Sequence, residues 1–331
     1  MRSYWQTDSD ERVGRQSSRP AVGPASSVIF LYHSIIDDAA PLERSCLGQG
    51  LPSRSFQRQV SWLATAFSIV PLAEYLEEKR KSRASVRKLA TLTFDDGVGS
   101  TFRRVFPFLE QKRIPATFFL STGHLEGGRL LWFCYLNALC FENTYEEVTS
   151  EGRVFPLRTL AERIEARRVL EALARRGDDP SDFTRELESA YPLPLELREE
   201  YGGMTHAQVR AAAASHHVEI GSHTVTHPFL SRKSRGEQYE EIRESRTVLS
   251  ALTDRSIRYF AYPAGDYDHE TLGLLRQEGF EAGFATISRK LGPDEMLELD
   301  RIGIYSAALW KVKLKAWGAV DLARRVGLRV G

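Results

Sequence analysis

Carboxylates and imidazoles follow apolar segments at three places in this sequence of 331 residues. Asp95 and Asp96 end one segment, His223 and His227 lie four residues apart after another, and His33 follows a third. One carboxylate and two imidazoles can hold a divalent metal and leave coordination positions open for water and substrate. A second carboxylate beside that metal can act as a general base. These residue types therefore indicate a catalytic metal centre.

Each of these pieces also has a plainer interpretation when it is taken alone. An acidic pair after a strand is common in surface turns. His223 and His227 share a face within a helical turn, but Pro228 prevents a longer helix there, and two ordinary surface histidines would show the same spacing. His33 by itself is more typical of a structural histidine. The prediction of a site therefore depends on whether the fold brings these segments together.

Strands that alternate with helices are predicted through most of the chain, and they indicate an α/β protein with a parallel sheet. About seven strand–helix units are recognisable, which suits a barrel and also an open sheet. In either architecture the C-terminal ends of the strands meet at one mouth. The residues named above lie just past such ends, as does the turn Pro263-Ala264-Gly265. The pattern therefore predicts that they converge.

The alternation is interrupted at about residues 125–203, which we interpret as a largely helical insertion in a single domain at 28–331. Residues 1–27 are polar and aperiodic, and we expect a flexible N-terminal arm there. Because the insertion joins the end of one strand to the next helix, it is expected to cover the mouth. Its aromatic residues suit either stacking on a bound ligand or an apolar core of the insertion. These residues are Trp132, Phe133 and Tyr135.

The charge balance is close to neutral, with 45 Lys and Arg against 44 Asp and Glu. A dedicated nucleic-acid binder needs a basic surface, so no nucleic-acid partner is expected. No apolar run approaches the roughly 20 residues that span a bilayer. The first 27 residues hold no apolar segment of a secretory signal, and three cysteines are an odd number for a disulfide framework. These features predict a cytoplasmic protein.

One segment near the C-terminus, residues 310–317, interleaves aromatic residues with lysines. Its period of two favours an edge strand with the apolar side facing inward. The same composition suits contact with an anionic membrane face or a lipid-linked ligand. Peripheral contact with the inner face of a membrane therefore stays open.

Three motifs occur in a fixed order along the chain. They are Thr93-Phe94-Asp95-Asp96-Gly97, Ser222-His223-Thr224-Val225-Thr226-His227-Pro228 and Phe260-Ala261-Tyr262-Pro263-Ala264-Gly265. Together they resemble the polysaccharide deacetylase family, also called the NodB homology domain or carbohydrate esterase family 4, over about residues 28–124 and 204–305. The resemblance implies a distorted (β/α) barrel of seven or eight strands. It also implies one divalent metal ion, usually zinc, and removal of acetyl groups from N-acetylated sugars.

The resemblance also implies roles for individual residues. It assigns metal binding to three of them, Asp96, His223 and His227. Asp95 takes the place of the catalytic base. The backbone N–H of Ala264 falls where the family donates a hydrogen bond to the oxyanion, and the same turn brings Tyr262 and Pro263 to the substrate side.

Two departures from the family pattern concern catalytic residues. Ala261 stands where the family often has an arginine that steadies the base. Arg301 is a candidate replacement, although an exposed arginine near a strand would show the same pattern. The family usually has a late catalytic histidine, but no histidine follows His269. Some relatives resemble a permuted arrangement with that histidine on an early strand, which assigns the general acid to His33.

The leading hypothesis is a metal-dependent N-deacetylase. Its substrate would be the acetamide of a sugar in a glycan or glycoconjugate, including a lipid-linked sugar, and acetate would be released. One alternative is a related metal-dependent amidohydrolase acting on a small non-sugar amide or imide. Another is a non-catalytic carbohydrate-binding relative. The sequence does not distinguish between sugars, metals or oligomeric states.

Overall fold

The central strands are apolar and buried in the structure, a computed structural model that describes residues 27–40, 50–81 and 88–318. Continuous apolar runs are typical of parallel strands that are covered on both faces. The strands in chain order are β1 (Ser27–Tyr32), β2 (Ile35–Ile36), β3 (Leu51–Pro52), β4 (Ser68–Ile69), β5 (Leu89–Phe94), β6 (Ala116–Leu120), β7 (Glu147–Ser150), β8 (Arg153–Pro156), β9 (Val218–Ser222), β10 (Tyr259–Ala261), β11 (Ala282–Ala285), β12 (Leu299–Asp300) and β13 (Ile302–Gly303). The predicted N-terminal arm lies outside the described residues except for Ser27.

Helices connect most of these strands. In chain order they are α1 (Ser53–Ala66), α2 (Leu72–Arg80), α3 (Gly99–Lys112), α4 (Trp132–Phe141), α5 (Leu160–Ala174), α6 (Pro180–Ala190), α7 (Leu195–Tyr201), α8 (His206–Ala214), α9 (Arg235–Thr253), α10 (His269–Gln277) and α11 (Leu309–Ala316). Thr205 and Ser234 cap α8 and α9, and each side chain accepts from the backbone N–H three residues on. These bonds satisfy N–H groups that the first helical turn leaves unpaired.

The described residues contain one nine-stranded parallel sheet in the order β12-β11-β10-β9-β6-β5-β1-β13, with β4 paired to the start of β5. Only Arg301 separates β12 from β13, yet these two strands pair with opposite ends of the series, β11 and β1. The segment 299–305, which we call the closing segment, therefore joins the two edges and nearly closes the sheet. This geometry confirms the predicted distorted (β/α) barrel.

The stretch predicted as an insertion contains helices α4 to α7 and the antiparallel hairpin of β7 and β8. It has an apolar cluster of its own, with members that include Trp132, Tyr135, Leu136, Leu139 and Leu170. Within it, Thr159 caps α5 in a capping box with Glu162. Trp132 and Tyr135 are thus buried in this cluster, whereas Phe133 lies at its edge.

The prediction of an edge strand at residues 310–317 is wrong, because this segment forms the helix α11. Val312 and Ala316 lie four residues apart and are buried against the barrel, where α11 packs beside α1. The alternating lysines do not decide the structure, because the two buried residues also fit a helical period. Within the described ranges, every helix is too short or too polar to cross a bilayer.

Candidate active site

The two adjacent carboxylates follow β5 and point in different directions because the backbone turns sharply between them. The Asp95 N–H donates to the carbonyl of Tyr32 on β1, which continues the ladder. Asp96 and Gly97 then both take the left-handed region, with φ of 76° and 77°. Aspartate tolerates this region better than most residues, and glycine adopts it freely. Both carboxylates are buried at the mouth of the barrel.

Asp96 faces two imidazoles. Its Oδ1 lies 3.7 Å from Nε2 of His223 and 3.6 Å from Nε2 of His227. Within the described residues these three are the set of possible ligand atoms that lie within 4.8 Å of one another. Asp96 Oδ1 is buried and has no hydrogen-bond partner among the described groups. A buried, unpaired carboxylate oxygen between two imidazole nitrogens fits a bound divalent cation.

The loop that carries the two histidines is not the helical turn that their spacing predicts. Thr224 and His227 both have positive φ, at 69° and 61°, and no helix forms between them. Glu241 on α9 holds the loop by accepting from the N–H groups of Val225 and Thr226 at 2.8 and 2.9 Å. The sequence analysis missed Glu241, because a glutamate on an amphipathic helix carries no signal of its own.

A hydrogen bond sets the orientation of the first imidazole. Nδ1 of His223 donates to the carbonyl of Ala261 on β10 at 2.8 Å, which leaves Nε2 as the atom that faces Asp96. Such a bond on the far nitrogen orients a metal-binding histidine and selects its tautomer. Ala261 thus contributes its carbonyl at the position where the resemblance expected an arginine.

Arg301 lies between β12 and β13, and its buried side chain reaches Asp95. Its Nη1 and Nη2 atoms donate to the two carboxylate oxygens of Asp95 at 2.7 Å each, and both side chains are buried. The guanidinium also lies over the ring of Phe119. The strand pairing explains this contact. Asp95 directly follows β5, Arg301 directly precedes β13, and β1 pairs with both of these strands. Arg301 is therefore the bidentate partner of Asp95 and not an exposed surface arginine.

Burial and neighbouring charges together set the pKa values of Asp95 and His227. Burial alone would raise the pKa of the Asp95 carboxyl, but the Arg301 guanidinium and the nearby His223 imidazole outweigh it and hold the pKa below its usual value. Burial likewise opposes the charged form of His227 and, together with the neighbouring His223, lowers its pKa to about 4. At neutral pH Asp95 is therefore ionised and His227 is neutral, the state in which a histidine can bind a metal.

His33 lies at the end of β1 beside a tyrosine from the closing segment. The His33 and Tyr305 rings have centroids 5.5 Å apart at an angle of 33°. The Tyr305 ring packs on the bare backbone of Gly303, where an added Cβ would lie 2.6 Å from its Cζ. Lys315 on α11 donates to the Gly303 carbonyl at 2.8 Å and lies over the same ring. The sequence analysis did not single out Tyr305.

The turn after β10 supplies main chain rather than side chains. Ala264 is exposed and takes the left-handed conformation, with φ of 53° and ψ of 13°. Tyr262 stacks on Tyr267 and donates its hydroxyl to the Leu297 carbonyl at 2.6 Å, so that hydroxyl is engaged in the core. Pro263 is buried. Ala264 is therefore the residue of this turn that is most open to solvent.

A cavity of about 490 Å³ brings these groups together. Asp95, Asp96, His33, His223, His227, Ala264 and Tyr305 line one side. The opposite side comes from the insertion, and its lining residues include Trp132, Phe133, Asn137, Glu171, Arg175 and Tyr201. Phe133 meets the His227 ring edge-on, with centroids 5.1 Å apart. The barrel thus supplies the ionisable groups and the insertion supplies a mixed aromatic and polar wall.

A (β/α) barrel with carboxylates and imidazoles at the C-terminal ends of its strands is the architecture of an enzyme whose chemistry lies at that mouth. The sequence model of the polysaccharide deacetylase family matches residues 82–169 and 195–283, which is more than half of the chain. The protein belongs to this family and is a hydrolase that acts on carbon–nitrogen bonds of sugar acetamides. No curated protein sequence matches it.

Several solved structures share the fold. IcaB from Ammonifex degensii is 20% identical, with a TM-score of 0.56, over 88% of this chain and 97% of that one. The Streptococcus pyogenes deacetylase PplD, solved in complex with acetate, is 18% identical, with a TM-score of 0.51, over 85% and 93%. A polysaccharide deacetylase from Bacillus cereus is 16% identical, with a TM-score of 0.52, over 89% and 69%. At these identities the comparison establishes the architecture.

Proposed function

We propose that this protein is a metal-dependent N-deacetylase that hydrolyses the acetamide of an N-acetylated sugar in a glycan or glycoconjugate. The observation that carries the proposal is the buried, unpaired Asp96 Oδ1 between the Nε2 atoms of His223 and His227, at the wall of a sugar-sized cavity. One carboxylate and two imidazoles with room for further ligands suit zinc. Membership of the polysaccharide deacetylase family supports the sugar acetamide as substrate.

Hydrolysis of an acetamide needs an activated water, a stabilised oxyanion and a proton for the leaving nitrogen. Asp96, His223 and His227 would hold a divalent metal, which when bound would lower the pKa of a water molecule to about 7 and polarise the carbonyl. Asp95 takes the proton of the attacking water, and Arg301 holds its carboxylate in one orientation and in the ionised form.

The remaining two tasks fall to the cavity wall. The backbone N–H of Ala264 donates to the oxyanion as its charge develops. His33 gives a proton to the departing amine, because an imidazole can act as a general acid. The products are acetate and a free amino sugar.

Metal content and acetate release test this proposal together. Elemental analysis of the purified protein is expected to give one zinc per chain, and acetate is expected from N-acetylhexosamine conjugates but not from cyclic imides. Protein without a stoichiometric metal would contradict the metal centre. Turnover of imides alone would favour the small-amide hydrolase.

The His33→Ala variant tests the general acid. We expect turnover of a sugar acetamide to fall by about 10² to 10⁴, which is the usual contribution of proton transfer by a side chain. An activated acetate ester should lose far less, because its leaving group needs little protonation. His269→Ala, which changes an exposed histidine at the start of α10, serves as the matched control. Equal losses on amide and ester would make His33 structural.

The Gly303→Ala variant tests whether Tyr305 positions His33. The new methyl group cannot coexist with the Tyr305 ring in its present place, so the ring must shift from its position beside the imidazole. A misplacement of about 1 Å can cost roughly 10²-fold in rate, and we expect that loss on the acetamide with a smaller loss on the ester. Gly273→Ala in α10 is the control, because its Cβ meets nothing within 4 Å. A loss in KM alone would contradict the positioning role.

A further inference from the structure

The outward face of α11 is apolar. Trp310, Leu314 and Trp317 have exposed fractions of 60%, 43% and 50%. At spacings of four and seven residues, they share one face of the helix and its immediate end. Val312 and Ala316 are buried and lie on the opposite face. The apolar side chains are therefore not the part of α11 that anchors it to the barrel.

Lysines flank this apolar face. Lys311 and Lys315 lie to one side of it and Lys313 to the other by helical geometry, and the segment 309–318 contains no acidic residue. Lys313 Nζ lies over the ring of Trp62 on α1, and Lys311 Nζ lies over Trp310. The face therefore combines two large aromatic side chains with a basic border, which is the composition of helices that lie in a membrane interface.

The sequence that follows α11 carries the same sign of charge. Residues 319–331 contain three arginines and one aspartate, whereas the whole chain has a net charge of only +1. A basic tail is repelled by the lysines around the apolar face, so it is a poor cover for that face. An anionic lipid surface attracts both the lysines and the arginines.

We propose that Trp310, Leu314 and Trp317 dock on the surface of a bilayer that contains anionic lipids. The helix lies beside the cavity, because Lys315 contacts Gly303 and Tyr305 of the closing segment, and Tyr305 lines the cavity. Docking therefore puts the mouth of the barrel next to the lipid headgroups. The proposed contact is independent of the catalytic chemistry and can be measured without a substrate.

Vesicle flotation of the full-length protein tests this contact. We expect binding to phosphatidylcholine vesicles that contain phosphatidylglycerol, weaker binding to phosphatidylcholine alone, and loss of binding at high ionic strength. The double variant Trp310→Ser, Trp317→Ser should lose at least tenfold in binding, and Lys311→Glu with Lys313→Glu should lose a similar amount. Leu195→Ser is the control, since Leu195 is an exposed apolar residue on α7, in the insertion.

Three results would overturn the proposal. The first is a wild-type protein that does not bind anionic vesicles, and the second is a tryptophan variant that floats as well as the wild type. The third is a wild-type protein that does not bind lipid but forms dimers, when the tryptophan variant forms none. That result would identify a second copy of the chain as the partner that covers the apolar face of α11. Circular dichroism and thermal unfolding of each variant, with unchanged profiles, separate loss of docking from loss of folding.

Discussion

The Asp96→Ala variant is expected to lose its bound metal and its deacetylase activity together. Asp96 supplies the one anionic ligand of the cluster, and its Oδ1 lies 3.6 to 3.7 Å from both imidazole nitrogens. Without it the site is two imidazoles, of which His227 is neutral at neutral pH. Loss of an outer-shell partner already costs roughly 10 to 100-fold in metal affinity, and loss of a direct ligand should exceed that. Metal content by elemental analysis and acetate release measure the two effects.

The backbone at this position calls for a second variant. Asp96 has a φ of 76°, which an alanine adopts at a cost in stability, so unfolding could mimic loss of metal. Asp96→Asn avoids this difficulty because asparagine tolerates the left-handed region. Asp182→Ala, at an exposed carboxylate of the insertion, is the control and should keep metal and activity. An Asp96→Asn protein that is folded, metal-loaded and active would remove Asp96 from the site.

The Asp95→Asn variant is expected to keep the metal but to lower kcat by about 10² to 10⁴, because an amide cannot accept the proton of the attacking water. KM for the sugar should change much less, since the shape of the side chain is preserved. Metal content and kcat, measured on the same preparation, separate the two carboxylates by role. Normal turnover in this variant would show that Asp95 is not the base.

The partner of Asp95 gives an additional readout. Asp95→Asn leaves the buried Arg301 guanidinium without its carboxylate, and breaking a buried ion pair in this way costs about 3–5 kcal/mol of stability. Tm should therefore fall, and kcat has to be measured well below it. Arg301→Lys keeps the charge but cannot form the fork of two hydrogen bonds. Its kcat loss should be smaller than that of Asp95→Asn, and an undiminished Tm in Asp95→Asn would contradict a buried ion pair between Asp95 and Arg301.

Local signals in the sequence were sufficient for an α/β fold with a parallel sheet, whereas the barrel was implied by the family resemblance. The apolar run Leu89–Phe94 predicts the buried strand β5, and the capping patterns at Thr205 and Ser234 predict the starts of α8 and α9. The same logic places Asp95, Asp96 and the histidines at strand ends, and parallel strands bring such ends to one mouth. These inferences succeed because each depends on neighbouring residues or on a general rule of parallel sheets.

Other features of the site depend on contacts between distant residues. Asp95 and Arg301 are 206 positions apart, and they meet because β12 and β13 pair with opposite edges of the sheet. Glu241 fixes a loop that has two left-handed residues where the spacing suggested a helical turn. Neither the closing of the barrel nor these backbone angles leaves a periodic trace in the sequence.

What the sequence by itself determined was the class of fold and the residue types that follow its strands, because short-range periodicity and motif spacing encode both. The tertiary structure alone decided whether Arg301 meets the base or is exposed, which tyrosine lies against His33 and whether 310–317 is a strand or a helix. The physical reason is that the lysines of α11 recur every two residues, as on a strand, and also at a spacing of four, as on a helix. The burial of Val312 and Ala316 against the barrel therefore selects the helix. Such packing exists only once the chain has folded.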